Sequence, residues 1–433
     1  FEYTYTQPEG GTVYKERKEG KEGALTGDIT ADFKDIISNV DGGALFNANG
    51  NTLNITGNFL NNQIDNTGSG SEGGAIYNEG TLSIKGDMIG NHMVRNGGVK
   101  GGAIFNTNST AQIKEIIGNY IGNYVISHTN YAYGGAIRNV SGAVIGKIEG
   151  KFIGNYAIGN GNVYVAAGGG AIGNRGAKID SIRGVFINNF IKSESNAKSA
   201  QGGAINNSES ATIGNITGNF IGNYTKSVNY QSDGGAIYNL TSNIKEIKGN
   251  FTDNYAVGGA TSNGGAINNN ASGIIGSITG DFDGNYAESN GGAAAARGGA
   301  LMNFGKISNL TANFSYNHAL TNGTFAIGGA LANMYDPKGI TTLSGNFSNN
   351  FAQTTGTGEN AYAQGGAIYN GIFKGRLPVI SDIQSSTFSG NHVSGANEKT
   401  DGGAVWNAGT IGFSGKTVFK DNYKIVNGVK TAN

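Results

Sequence analysis

The chain of 433 residues has no cysteine, only three prolines, one tryptophan and no excess of either charge. Without cysteine it can form neither a disulfide nor a thiolate metal site. Its formal net charge is zero and 14% of its residues are charged, so it lacks the basic surface from which nucleic-acid binding draws most of its affinity. No apolar run reaches the ~20 residues of a membrane-spanning helix. We therefore expect no nucleic-acid partner and no membrane insertion of this segment.

Glycine is the residue in excess, with 76 copies, which is more than twice the usual ~7% share. Glycine-rich chains are often disordered, but 37% of this chain is apolar, with 20 Phe and 20 Tyr, so it has the material for a packed core. Collagen is excluded because there is no Gly-x-y triplet repeat. The chain begins at Phe1 rather than Met, so we expect it to be either a processed chain or an excised fragment from which any export signal has been removed.

A short phrase recurs twelve times: Gly-Gly-Ala, an aliphatic residue, a free choice, then Asn. The copies begin at Gly42, Gly73, Gly101, Gly134, Gly169, Gly202, Gly234, Gly264, Gly298, Gly328, Gly365 and Gly402. A spacing of 28 to 37 residues is typical of a repeat array. In such an array most residues stack one unit on the next, and only departures from the repeat are free for other chemistry.

A second phrase, aromatic-x-x-Asn, alternates with the first and is usually followed by another aromatic residue or His. Its copies begin at Phe59, Met88, Tyr120, Phe152, Phe186, Phe220, Phe251, Phe282, Phe314, Phe347, Phe388 and Phe419. Between the two lies a third phrase, Ile-Gly-x-Ile-x-Gly, clearest at 145–150, 213–218 and 275–280. Short apolar segments that end in Gly or Asn predict strands and turns rather than helices.

Three strands per unit with glycine corners predict an all-β fold, a single parallel β-helix (solenoid) of about twelve three-strand coils. At ~4.8 Å per coil the rod would be roughly 58 Å long. We expect an N-terminal arm and cap over 1–41, the repeat array over 42–423 and a C-terminal tail over 424–433. The charged run from Lys15 to Glu22 is interpreted as a solvated part of the arm.

Side chains at equal positions should stack coil over coil. The aliphatic residue of the first phrase and the Asn two residues later share a parity, so both should point inward and the Asn amides should bond their neighbours above and below. The aromatic residue of the second phrase should fill the core. Two residues later comes Gly, Asn or Asp in every copy except that of Tyr316, which predicts a left-handed bend followed by a second Asn ladder.

Gly-Gly-Ala-Ile paired with Phe-x-x-Asn resembles the repeats of chlamydial polymorphic membrane proteins and, more broadly, the passenger domains of bacterial autotransporters. The segments 150–157 and 235–239 carry the likeness, which covers about residues 42–423. The resemblance implies a right-handed β-helix exported across the outer membrane and displayed on the bacterial surface or released, often as an adhesin. It implies no shared active site.

Parallel β-helices that act as polysaccharide lyases or hydrolases need clustered carboxylates, or an Arg or Lys beside acidic calcium ligands, on one face. Asp253 and Asp283 lie in neighbouring units at different offsets, and Asp421 shares the offset of Asp253 five units away. Acids at these positions are interpreted as bend-forming residues. We therefore expect no catalytic residues.

The four histidines, His92, His128, His318 and His392, lie coils apart and should not share a metal. Three of them directly follow the Asn of the second phrase. We expect no metal site and no cofactor.

One position is a candidate for binding, the free-choice residue between the aliphatic residue and Asn. In the first four units it is Phe46, Tyr77, Phe105 and Arg138. If these side chains point outward they form an aromatic stripe, which is a platform for a sugar or a protein. The alternative is mutual stacking beneath a covering loop.

Variable segments rich in Ser, Asn, Gly, Thr and Tyr precede several Gly-Gly pairs, at 125–133, 192–201, 226–233 and 354–364. They are interpreted as loops that leave one corner and form a wall suited to recognition.

The sequence thus favours a non-enzymatic, adhesin-like β-helix, extracellular or on a bacterial cell surface. Its partners would be a host or bacterial cell-surface protein or glycan, or the chain itself as a homo-oligomer or fibre. The alternatives are a carbohydrate-active β-helix enzyme, either a polysaccharide lyase or a glycoside hydrolase, and a structural subunit of an extracellular fibre.

Overall fold

The computed structural model describes residues 26–65, 70–161, 165–194, 199–270, 272–292, 294–334, 339–372 and 375–433, and the backbone of 13–14. The charged run 15–22 and most of the predicted N-terminal arm lie outside the described residues. Every described element is a strand. No helix long and apolar enough to cross a membrane occurs among these residues.

Most coils of the solenoid contribute strands to four sheets, which we call A, B, C and D. In one representative coil, sheet A receives Ile237–Leu240 and sheet B receives Asn243–Lys248 and Phe251–Thr252. Sheet C receives Tyr255–Gly258 and sheet D receives Thr261–Asn263, after which the next Gly-Gly begins another turn. The fold is the predicted right-handed parallel β-solenoid, with eleven complete turns between the first and last of the twelve Gly-Gly-Ala copies.

The strand bounds are as follows. Sheet A contains Val13–Tyr14, Leu45–Asn47, Ile76–Asn78, Ile104–Asn106, Ile137–Val140, Ile172–Arg175, Ile205–Ser208, Ile237–Leu240, Ile267–Asn270, Leu301–Asn303, Leu331–Met334, Ile368–Gly371 and Val405–Asn407. Sheet B contains Thr26–Thr30, Phe33–Lys34, Thr52–Thr56, Phe59–Leu60, Thr81–Lys85, Met88–Ile89, Gln112–Ile117, Tyr120–Ile121, Val144–Ile153, Lys178–Ile187, Thr212–Thr217, Phe220–Ile221, Asn243–Lys248, Phe251–Thr252, Ile274–Thr279, Phe282–Asp283, Lys306–Thr311, Phe314–Ser315, Ile340–Ser344, Phe347–Ser348, Val379–Gln384, Thr387–Ser389, Thr410–Ser414 and Val418–Lys420. Sheet C contains Ile37–Ser38, Gln63–Ile64, His92–Arg95, Tyr124–Ser127, Tyr156–Gly159, Phe190–Ser193, Tyr224–Ser227, Tyr255–Gly258, Tyr286–Ser289, His318–Thr321, Phe351–Thr354, His392–Gly395, Tyr423–Val426 and Val429–Ala432. Sheet D contains Val99–Lys100, Ala132–Tyr133, Val165–Gly168, Ser199–Gln201, Ser232–Asp233, Thr261–Asn263, Ala295–Arg297, Phe325–Ile327 and Tyr362–Gln364.

The Gly-Gly pair sets the corner between sheets D and A, and its two glycines are needed for different reasons. Gly234 has φ +60°, a left-handed conformation that side chains rarely adopt. A Cβ on Gly235 would lie 2.0 Å from the carbonyl oxygen of Gly265 in the next coil. The first glycine is therefore required by backbone conformation and the second by the close approach of successive coils.

The main core lies between sheets A and B and is built from the predicted ladders. The aliphatic residue and the Asn of the first phrase are buried in eleven of the twelve copies, and in the last coil Val405 is half-buried and Asn407 exposed. The rings of the second phrase stack along the axis, with centroids 4.7 Å apart for Phe186 and Phe220. Phe419, in the last coil, is exposed but still stacks on Phe388 at 4.9 Å.

Both predicted Asn ladders are confirmed. In the first, each side-chain amide donates to the amide oxygen one coil further on, as Asn207 does to Asn239 at 2.9 Å and Asn239 to Asn269 at 2.8 Å. In the second, Asn223 donates to Asn254 at 2.9 Å, and its Nδ2 also reaches the carbonyl oxygen of Phe186 at 2.9 Å. Buried amides are thereby paired from coil to coil, as buried polar groups must be, and only at the start of the first ladder does the Oδ1 of Asn47 lack a partner among the described residues.

The predicted left-handed bend is also confirmed. Residues at the third position of the second phrase have positive φ, including Asn188 at 52° and Asp253 at 52°. Tyr316, which breaks the Gly, Asn or Asp pattern, adopts the same conformation with φ 56°. Stacking of its neighbours overrides the preference of the tyrosine itself.

The prediction of three strands per coil and a wall of loops is incomplete, because each of the four segments interpreted as loops contains residues of sheet C and a strand of sheet D. In the segment 226–233, for example, Lys226 and Ser227 end a strand of sheet C, and Ser232 and Asp233 form a strand of sheet D. Residues 195–198 of another such segment lie outside the described part. Side chains between the two sheets are small, as in Ala157, Ala200 and Ala256. Small residues allow close packing but have a low propensity for strands. The sequence of these segments is therefore typical of loops.

Strands also flank the predicted array on both sides. Thr26–Thr30 and Phe33–Lys34 pair in parallel with the first unit, so that part of the predicted N-terminal arm and cap is a further stretch of solenoid. At the other end Val429–Ala432 turns back and pairs antiparallel with Tyr423–Val426. It supplies the last strand of sheet C.

Candidate binding surfaces

The free-choice residues of sheet A do not form an open stripe, since sheet D lies beside them. We call this junction the A–D corner, formed by the free-choice residues and by the residue before each Gly-Gly. The predicted stacking is present, with ring centroids 5.2 Å apart for Phe46 and Tyr77 and 5.3 Å for Tyr77 and Phe105. Phe46 and Tyr77 are half-buried, but Phe105 is only 3% exposed and Arg138 only 1% exposed.

The binding prediction assumed that these side chains are exposed, and that assumption is wrong for Phe105 and Arg138. The reason is the fourth sheet, which brings Lys100 to 5.6 Å from the centroid of Phe105. Sheet D also supplies Tyr133, whose ring lies 4.7 Å below the guanidinium of Arg138. The alternative, mutual stacking beneath a cover, describes these two residues. A binding role for the four residues stays a prediction.

Arg138 is the largest fully buried side chain of the corner. Burial lowers the pKa of its guanidinium to about 10. Its Nε has no hydrogen-bond partner within the described part of the chain. Gly173, one coil further on, leaves the room that the side chain fills, since a Cβ there would lie 2.8 Å from Nη1. Stacking on Tyr133 stabilises the buried cation in place of an anion.

Next to it, Glu72 and Lys100 form an ion pair across adjacent coils of the corner. Burial raises the pKa of Glu72, while the hydrogen bond from Lys100 opposes that shift. Burial also raises the pKa of Asp41, which accepts a hydrogen bond from the backbone N–H of Glu72 at 2.7 Å. The charges at this end of the corner thus satisfy one another.

In the middle of the rod, the corner contains a buried carboxyl group. Asp233 is 1% exposed and accepts hydrogen bonds from Asn263 Nδ2 at 2.7 Å and Asn268 Nδ2 at 3.2 Å. Burial raises its pKa to about 6, although the hydrogen bonds and the positive charge of Arg297 act in the opposite direction. Further along, the corner becomes apolar, with Met302 and Ile327 in one buried cluster.

The outer face of sheet C presents the longest uninterrupted aromatic feature of the molecule. The residue directly after the Asn of each second phrase lies on this face, half-buried in every coil. Their rings form one stack, which we call the outer ring ladder: His92, Tyr124, Tyr156, Phe190, Tyr224, Tyr255, Tyr286, His318, Phe351, His392 and Tyr423. Ten contacts with centroid distances of 4.6 to 5.1 Å give a length of about 48 Å.

Sequence reasoning noted the aromatic residue or His after Asn but did not identify it as a surface. The signal was therefore available. What was missing was the direction of the side chain, which depends on the left-handed bend two residues earlier. That bend turns the chain so that the ring after the buried Asn faces away from the core.

The ring faces of this ladder are occupied by one another, so that the edges and the polar groups are left for a partner. Within the described residues, the hydroxyls of Tyr124, Tyr156, Tyr224, Tyr255 and Tyr286 have no hydrogen-bond partner. Partial burial raises the pKa of all five phenols, to about 12 for Tyr224 and Tyr286. They are therefore neutral at physiological pH and can donate as well as accept. Burial likewise lowers the pKa of His318 and His392, which favours their neutral form.

The outer face of sheet B differs in chemistry, since it contains short-range ion pairs. Lys178 and Asp180 lie 2.7 Å apart and Glu246 and Lys248 2.8 Å apart, all with exposed or half-exposed side chains. Exposed pairs of this kind contribute little to stability. Here they leave a polar, self-neutralised surface.

The acids and histidines that could have formed a catalytic or metal site lie in different parts of the fold. Asp253 and Asp421 occupy left-handed bends, as interpreted, whereas Asp283 is exposed and accepts a hydrogen bond from Ser315 at 2.6 Å. His318 and His392 are members of the outer ring ladder. Among the described residues no three His, Asp or Glu side chains lie close enough together to hold a metal ion.

Comparisons with protein-family models, with curated proteins and with solved structures find no match to this chain.

Proposed function

We propose that the protein is a non-enzymatic binding rod, displayed on or released from a bacterial cell surface, that contacts its partner through the outer face of sheet C. The observation that carries the proposal is the outer ring ladder, eleven half-buried rings in one unbroken stack. A contiguous aromatic surface of this length is typical of an interaction site. Tyrosine, which supplies six of the rings, is enriched at protein interfaces.

The second outward position of sheet C adds aliphatic surface beside the rings. Two residues after the ring come Val94, Ile126 and Ile158 in consecutive coils, and Val94 is 38% exposed. Apolar side chains in register on three successive strands, one exposed and two half-buried, extend the ladder sideways. This part of the face is the strongest candidate for direct contact.

Extracellular display rests on the resemblance of the repeats to autotransporter passenger domains and chlamydial polymorphic membrane proteins. Right-handed parallel β-solenoid architecture and stacked Asn ladders are consistent with that resemblance. The partner is then a cell-surface protein or glycan, or a second copy of the chain. Because the ring faces are stacked on one another, a protein partner is favoured over a sugar, which would stack on an open ring face.

The test is binding of the fluorescently labelled chain to cultured epithelial cells and to Gram-negative bacterial cells, measured by flow cytometry. Ile126→Glu places a charge on the apolar part of sheet C and should weaken binding about tenfold, since a desolvated charge without a partner is unfavourable. Ile221→Glu is the matched control, because Ile221 is 38% exposed on the outer face of sheet B. It should bind as the parent chain does.

Both variants must unfold at the temperature of the parent chain, within experimental error, for the comparison to count. Equal binding by Ile126→Glu and the parent would remove sheet C as the contact face. Loss of binding in the double variant Tyr77→Ala/Phe105→Ala alone, with the fold intact, would place the contact at the A–D corner instead.

A further inference from the structure

The outer face of sheet C is regular from coil to coil. Along the outer ring ladder, the centroids of neighbouring rings lie 4.6 to 5.1 Å apart and neighbouring ring planes differ by only 1° to 11°. A row of side chains with one spacing can face a second copy of itself over many coils.

Beside the rings, the second outward position of sheet C forms a parallel row, which we call the outer mixed row. In coil order it reads Val94, Ile126, Ile158, Lys192, Lys226, Val257, Glu288, Leu320, Gln353 and Ser394. Every member is half-buried or exposed. The row thus contains an apolar section, two lysines, one acid and a second mixed section.

The charges of this row have no ion-pair partner in the part of the chain that the structure describes. Among the described residues, none of Lys192, Lys226 and Glu288 lies within ion-pair distance of an opposite charge. Lys192 and Lys226 are register neighbours and repel each other. They line a shallow cleft of about 190 Å³ whose rim includes Glu194. By contrast, the lysines cited above on the outer face of sheet B each have an acid close by.

The order of residues in the row is self-complementary when reversed. Consider a twofold axis that lies in the face, parallel to the strands, and passes between the strands of Lys226 and Val257. Rotation about this axis reverses the order of the coils but keeps each residue's position along its strand. The outer ring ladder of one copy therefore faces that of the other, and the two outer mixed rows also face each other. Lys192 of one copy then faces Glu288 of the other, because each lies one coil beyond the central pair of strands.

The same operation places Ile158 opposite Leu320, and Lys226 opposite Val257, where the aliphatic stem of the lysine can pack. Parallel packing, with the axis along the row, would instead set each lysine against its own copy and Glu288 against Glu288. Like charges in contact disfavour that arrangement. The row therefore selects the antiparallel orientation.

We infer that the partner of this face is a second copy of the chain, packed antiparallel with Lys192 of each copy against Glu288 of the other. The inference rests on the proposed use of sheet C and names its partner. Four-residue strands at ~3.3 Å per residue and a length of about 48 Å give roughly 1,200 Å² for the two faces together, the lower end of specific interfaces. A reversible dimer, formed at micromolar concentration, is expected.

The experiment is sedimentation velocity of the full chain from about 1 to 100 μM, a range set by the micromolar affinity expected of such an area. Lys192→Glu alone should weaken self-association about tenfold or more, because it sets two acids together, and Glu288→Lys alone should do the same with two bases. An equimolar mixture of the two single variants restores opposite charges at both contacts. It should form a heterodimer at least as tight as the parent homodimer.

The matched control is the pair Lys248→Glu and Glu246→Lys on the outer face of sheet B, which should associate like the parent, alone or mixed. A mixture of Lys192→Glu and Glu288→Lys that associates no better than either variant alone overturns the inference. Rescue by Lys226→Glu in place of Lys192→Glu overturns this register. If the single variants are monomeric and still bind cells, the second copy is not the partner, but the proposed use of sheet C stands. The use of sheet C itself is tested separately by the cell binding of Ile126→Glu.

Discussion

On the inner side of sheet A every coil places an aliphatic side chain and an Asn at the same two positions. On the outer side, at the A–D corner, the side chain usually differs from one coil to the next. Inward-facing residues meet their own copies one turn above and below, as Asn239 meets Asn207 and Asn269. A side chain there must be complementary to itself, which an amide is, since it both donates and accepts. At the A–D corner the contact is between different positions, so that any complementary set suffices, such as Asp233 with Asn263 and Asn268.

The comparison teaches where this chain can vary. A change in a self-stacked ladder alters contacts with two neighbouring coils at once, while a change at the corner can be matched by one local partner. The outer face of sheet C combines both features. Its ring ladder is self-stacked, and its mixed row varies from coil to coil, which is why a recognition surface can arise there without loss of the fold.

The largest effect is expected at the corner glycines, where the backbone itself repeats. Gly235→Ala would place a Cβ 2.0 Å from the carbonyl oxygen of Gly265 and 2.4 Å from that of Tyr255. Since both contacts are backbone atoms, we expect destabilisation above ~4 kcal/mol or failure to fold, measured by thermal unfolding. Gly292→Ala is the control, because no atom lies within 4 Å of the Cβ position there. Equal melting temperatures for the two variants would contradict the close-approach argument.

A smaller effect, of opposite sign, is expected from Asp233→Asn at the corner. Because burial raises the folded-state pKa of Asp233 from 3.8 to about 6, the folded protein binds a proton more readily than the unfolded chain. The contribution to stability is greatest below pH 4, decreases as the pH rises from about 4 to about 6, and is constant above that. Removing the charge should therefore stabilise the protein at pH 7 by about 3 kcal/mol.

The measurement for Asp233 is urea unfolding of parent and variant between pH 4 and pH 8. The gain in the free energy of unfolding should be present at pH 7 and absent at pH 4. A variant that is destabilised at pH 7 but not at pH 4 would show that the charged carboxylate is a net stabilising partner of Asn263 and Asn268.

The smallest effect is expected from a single break in the first Asn ladder. Asn239→Ala removes the acceptor of Asn207 and the donor to Asn269, leaving buried amide groups unpaired, and should destabilise by ~1–3 kcal/mol. Asn206→Ala is the matched change at the corner, where the amide makes one long contact of 3.5 Å with the carbonyl of Gln201. It should cost less than Asn239→Ala in thermal unfolding. The reverse order would mean that self-stacked positions are not the stronger ones.

Periodicity and residue type alone were enough to predict the solenoid, both Asn ladders, the ring core and the left-handed bends. The ladders and the ring core are contacts between a residue and its own copy one turn away, and the bends recur at one position of every coil, so that recurrence in the sequence is recurrence in space. Even Tyr316, which breaks the composition of the bend, follows the position rather than the residue.

What only the tertiary structure decided is how different positions of one coil meet. Sheet D was invisible in the pattern because its inward residues, such as Ala132 and Ser232, are too small to indicate a strand. Its presence buried Phe105 and Arg138, and the bend before each ring directed that ring to the outer face of sheet C. These outcomes depend on contacts between different positions of the coil. The recurrence of a residue in the sequence does not indicate which other position its side chain will contact.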